Sequence, residues 1–319
     1  NWISVLNTST RSETQKLLLH DREPAVVKDG RPVLYDAQLS SSNGEASCAG
    51  CHIFCDLDSI GWDLGNPHDP TLTNLNPFAF GPGPGFVDFH GMKGPMTTQT
   101  LRGMANHGPM HWRGDRSGAN NAGGNALDEN AGFNRFIGAF QGLLGKDVAL
   151  AGSTMQQFAD FMLSVEPTPN PIRALGGSLT TSQQAGRTRY FGAATDGPLN
   201  CNACHTLDSS RGFFGASGLS SFEGEPQHFK IAQLRNAYQK VGMFGIPNVG
   251  AGGGPAPFAG NQIRGFGFLH DGAVDTVFNF LGAAVFTLTN TEQSEIESFM
   301  HAFDTVFAPI VGQQVTLTS

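Results

Sequence analysis

Two pentapeptides carry residue types at a spacing that suits one kind of chemistry. Cys48-Ala49-Gly50-Cys51-His52 and Cys201-Asn202-Ala203-Cys204-His205 each place two thiols three residues apart, with a histidine directly after the second. Thiols so spaced reach one side of a helical turn, where they can add to the two vinyl groups of a single porphyrin while the adjacent imidazole reaches the iron. A zinc site would need a fourth ligand, and neither pentapeptide has a second Cys-x-x-Cys or a His-x-x-x-His beside it. A disulfide framework would not twice put a tight cysteine pair in front of a histidine. The spacing therefore predicts two covalently bound haem c groups, with His52 and His205 as axial ligands. Cys55, the remaining cysteine, reads as a small buried side chain, and a thiol open to another chain is the lesser alternative.

Composition agrees with a chain wrapped around large apolar cofactors. Charged residues make up 14% of the 319 residues, while glycine (42) and aromatic side chains are plentiful. The net charge is −8 and no basic cluster is long enough to track a phosphate backbone, so nucleic acid is excluded as a partner. No apolar run reaches the ~18–20 residues that cross a bilayer. The chain starts at Asn1 with no basic, apolar leader, which reads as a mature or excised product.

The elements that must position the motifs are mainly helical. A helix end and loop over 29–52 deliver the first cysteine pair. From Cys55 to about Asn125 the sequence is rich in Gly, Pro and Asn and reads as loop. Phe133, Phe136, Ile137, Phe140 and Leu144 recur at three- and four-residue steps, which predicts one amphipathic helix over 129–144. Ser153 and Thr154 are expected to cap a second helix that buries Met155, Phe158, Met162 and Val165. Glu166-Pro-Thr-Pro-Asn-Pro cannot continue a helix, so a domain boundary is placed there, giving 1–167 and 168–319. Beyond it, 181–191, 275–281 and 291–303 read as helices, the last starting at Asn290 or Thr291. The second half repeats the plan of the first.

Further motifs resemble those of the bacterial di-haem cytochrome c peroxidases and their relative MauG. They are Leu34-Tyr35-Asp36 through Ser41-Ser42-Asn43-Gly44, His90-Gly91-Met92-Lys93-Gly94-Pro95, Trp112-Arg113-Gly114-Asp115-Arg116, Phe229-Lys230-Ile231 with Leu234-Arg235-Asn236, and His270-Asp271-Gly272. The match spans most of the chain and is similar above all to cytochrome domains at the C-terminal end of large exported proteins with a β-propeller in front. The resemblance implies two cytochrome c-like helical domains with long loops, each around one haem. It implies that peroxide reacts at the N-terminal haem, that the C-terminal haem relays electrons from a small donor protein, and that the location is periplasmic or extracellular. Calcium between the domains belongs to the family, although no ligands for it can be matched here.

The resemblance also assigns single residues. His90 takes the place of a distal histidine on the peroxidatic haem, with His107 or His111 as second choice. Trp112 takes that of a tryptophan between the haems, against the alternative of a packed core aromatic. Glu129 is the nearest match to the proton-transferring glutamate, and an acid favoured at a helix start is an equal account. Arg235 falls in a motif behind the second haem and is assigned to cofactor binding. For the sixth ligand of that haem Met243 is the first candidate and His270 the second, a thioether raising the potential and an imidazole lowering it. Three functions follow: peroxide reduction, electron transfer alone, or oxidation of a larger partner as in MauG. No Gly-x-Ser-x-Gly elbow supports a hydrolase.

Overall fold

The computed structural model describes residues 2–63, 71, 96–114, 116–120, 123–208, 213–216, 219–220, 229–242 and 265–304. His90 and Met243 lie outside the described residues. The chain opens on a hairpin, β1 (Trp2–Asn7) and β2 (Ser12–Leu18), in which every residue is exposed. The sequence reading did not anticipate it. Two helices follow, α1 (Ala25–Tyr35) and α2 (Ala37–Ser40), and the second is capped by Asp36, whose carboxylate accepts from Gln38 N. The motif turn at Cys48–Gly50 comes next. Past the motif, β3 (Gly61–Trp62) pairs with β4 (Met96–Thr97) over two residues.

The expected helix over 129–144 is in fact two, α3 (Glu129–Asn134) and α4 (Ile137–Gly142). Between them Arg135 N and Phe136 N bond three residues back, to Gly132 O and Phe133 O. That tighter turn breaks the cylinder while preserving the apolar steps that suggested one helix. The next helix, α5 (Gly152–Ser164), begins earlier than Ser153 and Thr154 would have it. Its N-cap is Ala151, with no side-chain cap, so burial of Met155, Phe158 and Met162 stabilises the helix in place of a cap.

The second half carries α6 (Thr181–Phe191), α7 (Cys201–Cys204), β5 (Thr206–Asp208), β6 (Phe213–Gly215), β7 (Leu219–Ser220), β8 (Phe229–Lys230), α8 (Ala237–Lys240), α9 (Val277–Leu281) and α10 (Asn290–His301). Strands β5 and β6 pair, as do β7 and β8, both antiparallel. Helices α6 and α10 each start in a capping box, Thr180 with Gln183 and Thr289 with Glu292, which fixes both starts where the sequence put them, while α10 ends at His301, before the expected 303.

The buried residues form two clusters, one around Val33, Leu34, Phe133, Phe140, Met155, Phe158 and Met162, the other around Tyr190, Val277, Ile296, Phe299 and Phe303. Each such side chain contributes roughly 1.5–3 kcal/mol. Each cluster rests on a helix crossing made at a glycine. A β-carbon on Gly30 of α1 would meet Gln157 O and Phe161 of α5 at 2.3 Å, and one on Gly186 of α6 would meet Glu295 O of α10 at 1.9 Å. The two halves thus close their cores by the same device.

Between them runs a seam in which 96–112 meets 213–216, 229–240 and 265–275. Thr97 N donates to His270 O (2.7 Å), Phe214 N to Asn106 O (2.9 Å) and Lys230 N to Trp112 O (2.8 Å). Backbone touches backbone here, because a β-carbon on Gly108 would lie 2.2 Å from Ala216 O and one on Gly215 1.9 Å from His107 O.

Candidate functional site

The two pentapeptides adopt the same local structure. His52 N donates to Cys48 O (2.9 Å) and His205 N to Cys201 O (2.8 Å), so each motif is a single turn with both cysteines on one side. The histidines leave that turn with nearly equal backbone angles, φ −88°, ψ 66° at His52 and φ −91°, ψ 74° at His205. Asn200 caps the second turn by accepting from Ala203 N.

Their rings are held alike as well. His52 Nδ1 lies 2.9 Å from Gln99 O, and His205 Nδ1 lies 2.8 Å from Ala232 O. A carbonyl only accepts, so Nδ1 carries the proton and Nε2 presents its lone pair. Burial pushes both imidazoles below their ordinary pKa and so keeps them neutral, although the carbonyl bonds pull the other way. A neutral imidazole fixed through Nδ1 is what an axial ligand to iron requires. Tyr190, fully buried, donates its hydroxyl proton to His205 O and ties the second motif to its cluster.

All four motif cysteines are free thiols, each partly exposed, and burial raises their pKa, that of Cys48 to about 11. Among the described residues no group of three or more His, Cys, Asp or Glu could hold a metal ion, so none of them offers a calcium cluster. Cys55 is buried, with its Sγ 3.8 Å from the Tyr35 hydroxyl.

Trp112 lies at the seam, 8% exposed, its Nε1 donating to Thr97 O at 2.7 Å. With Gln99, Ala232, Lys230, Lys240, His107 and Asn236 it lines a cavity of about 20 Å³, room for a single water. Gln99 and Ala232 are the residues whose carbonyls hold the two histidines. A continuous route therefore runs from His52 through Gln99 and Thr97 to Trp112, and on through Lys230 and Ala232 to His205.

Two donors in this region, Arg235 Nε and Asn236 Nδ2, are buried without an acceptor in the protein. Arg235 also donates through Nη2 to Gly103 O and sits with Cζ 4.4 Å over the Phe214 ring, and burial lowers its pKa to about 10. Lys230 and Lys240 are lowered to about 7 and about 8, chiefly by withdrawal from water. A carboxylate-bearing organic cofactor such as haem would satisfy these donors. Paired thiols, neutral histidines and unpaired buried donors together fit that group.

The remaining candidates fall in different places. Glu129 starts α3, and its Oε1 accepts from His107 N (3.1 Å) and Gly108 N (3.0 Å), so it holds the loop that leads to Trp112. Burial raises its pKa against the pull of those bonds. His107 is buried on the seam, Nε2 3.4 Å from Lys230 Nζ. His111 stands edge-on to Phe136, which packs against the cluster that includes Cys48. His270 is buried and stacked on Phe229, ring centroids 4.7 Å apart. The sequence reading missed Lys230 and Lys240 as neighbours of Trp112, and missed Gln99 and Ala232 because they act through backbone carbonyls.

A solved structure shares this fold. The chain aligns with one of Kuenenia stuttgartiensis hydrazine synthase at TM-score 0.51 and 18% identity, covering 89% of each chain. Lower scores are found for a MauG-like protein associated with microbial copper homeostasis (0.48, 16% identity, 88% of this chain and 89% of that one) and for the diheme peroxidase BthA of Burkholderia thailandensis (0.43, 13%, 93% and 89%). At such identities the likeness is one of fold. No protein-family model matches the chain, and no curated protein does. No helix among the described residues is long and apolar enough to cross a membrane.

Proposed function

We propose that this chain is a di-haem c-type cytochrome that reduces hydrogen peroxide at an N-terminal haem with electrons relayed from a C-terminal one. Each of the domains 1–167 and 168–319 would hold one haem, through Cys48, Cys51 and His52 and through Cys201, Cys204 and His205. The observation that carries this reading is the matched pair of histidines, each donating from Nδ1 to a backbone carbonyl and joined to the other through Trp112. Haem supplies one-electron iron chemistry and a place for peroxide to bind.

The chain's own residues do the rest. His52 and His205 present Nε2 in a fixed tautomer. Trp112 fills the seam between the histidine-holding carbonyls with a polarisable ring and excludes all but one water. Converting one peroxide to two waters takes two electrons and two protons, and Glu129 is the residue assigned to move a proton. Its Oε1 is engaged by two amides while Oε2 stays out of those bonds, and its raised pKa suits proton exchange. Arg235 and Asn236 would hold haem carboxylates. His90, with His107 or His111 as second choice, is assigned to the peroxide side, and Met243 or His270 to the sixth position of the second haem. A small electron-donor protein completes the cycle. A periplasmic or extracellular setting, where c-type haem is attached, belongs to the same reading, as does an upstream β-propeller domain.

Electron transfer alone is the second reading. Met104 and Met110 are buried in the cluster that includes Cys48, where a thioether could close the sixth position of that iron. Mass spectrometry of the native protein and optical spectra of its half-reduced form separate the two. The peroxidase reading expects two haem adducts, one lost in Cys48→Ala/Cys51→Ala and one in Cys201→Ala/Cys204→Ala, with a high-spin site that reacts with peroxide. Two low-spin haems untouched by peroxide would leave the relay reading, and fewer than two adducts would overturn both.

A further inference from the structure

Two lysines stand beside Trp112 in the seam. Lys240 Nζ lies 5.2 Å from the centroid of its ring, within the distance at which an ammonium and an indole face interact. Lys230, whose backbone N donates to Trp112 O, faces the same cavity and brings its own ammonium 3.4 Å from His107 Nε2. The carboxylate that acts on Lys240 is Asp56, and its Oδ2 is already 3.0 Å from both Arg102 Nη1 and Gln239 Nε2. The acid nearest in effect is thus shared with another cation.

The indole's own hydrogen bond bears on what this field does. Nε1 donates to Thr97 O at 2.7 Å, and a peptide carbonyl is not a base. An indole that lost an electron here could not pass its proton to that partner and would have to hold a full positive charge. An ammonium 5.2 Å away favours the neutral, electron-rich ring and disfavours the oxidised one.

We propose that Lys240 is a positioning residue that acts through Trp112: its ammonium disfavours the oxidised indole and so shortens the life of a hole on the ring while electrons cross between the two haem sites, and the ring conducts without being consumed. This rests on the two-haem reading. In the step concerned, one electron leaves the indole for the oxidised iron held by His52, and one electron from the reduced iron held by His205 replaces it. One electron crosses in net, Trp112 is unchanged, and peroxide is the oxidant. Without the ammonium the hole would stay longer on the indole, where water or oxygen can add to it.

The chain has three tryptophans, so Trp2→Phe and Trp62→Phe leave Trp112 as the single indole. In that background the holoprotein is compared with Lys240→Met, Lys240→Gln and Lys240→Arg after mixing with hydrogen peroxide. Freeze-quench paramagnetic resonance reads the indole radical, and peptide mass reads oxygen added at Trp112. Both charge-removing variants should raise radical and adduct about tenfold, from the strength of a desolvated cation over an indole, with Lys240→Arg restoring the parent level. Equal yields in all four proteins, with haem spectra that do respond to peroxide, overturn the proposal. Should peroxide leave the parent's haem spectrum unchanged, it is the peroxidase reading that fails. A photogenerated one-electron oxidant, ruthenium tris-bipyridine with persulfate, then makes the same comparison without peroxide chemistry, and equal yields there overturn the role of Lys240.

Discussion

A carboxylate tied to two amides by one oxygen is a different chemical object from an acid on a helix surface, and Glu129 is the former. Because burial raises its pKa, the folded state resists ionising it, and the wild type loses stability relative to an un-ionisable variant as pH rises through the folded pKa. Glu129→Gln keeps an acceptor for His107 N and Gly108 N. Melting curves against pH should therefore show the variant gaining on the wild type above the carboxylate range and matching it below. Peroxide turnover should fall by about 10²-fold or more if Glu129 moves the proton. Parallel melting curves with full turnover would return Glu129 to the helix-start account. At this scale the matching turns of the two pentapeptides were legible, because equal spacing of the same residue types predicts equal local structure. Gln99 and Ala232 were not, since any residue offers a carbonyl and neither is near its histidine in sequence.

Elements were legible where a local signal decides them. The capping boxes at Thr180 and Thr289 started α6 and α10 as read, whereas α5 follows an uncapped Ala151, and a pair of short turns at Arg135 and Phe136 split the helix expected over 129–144. The glycines of the crossings give the sharpest test. Gly186→Ala would drive a methyl into Glu295 O, so it should cost ~1–3 kcal/mol or more and lower the melting temperature by several degrees. Gly138→Ala in α4 meets nothing within 4 Å and should stabilise by about 0.4–1 kcal/mol. Denaturant midpoints for both decide whether the crossing or glycine content as such is what matters. The opening hairpin escaped notice because its two strands bury nothing, which removes the alternation that marks a strand.

Over the whole molecule the repeat seen in the sequence returns as two buried clusters, each closed at a glycine and each next to one pentapeptide. What no pattern in the sequence discloses is how the halves meet, since that depends on backbone hydrogen bonds between segments more than a hundred residues apart. Trp112→Phe tests the join. The change leaves Thr97 O without its donor and should cost ~1–3 kcal/mol in stability. With both haem adducts retained, electron exchange between the sites after photoreduction should slow by at least ~10-fold, equivalent to about 1.4 kcal/mol of barrier. Exchange at the parent rate would remove Trp112 from the route.

At Gly108 and Gly215 the two halves touch peptide to peptide, with no room between them for a side chain. On the two-haem proposal, a join this close favours setting throughput by the driving force over moving the wires apart.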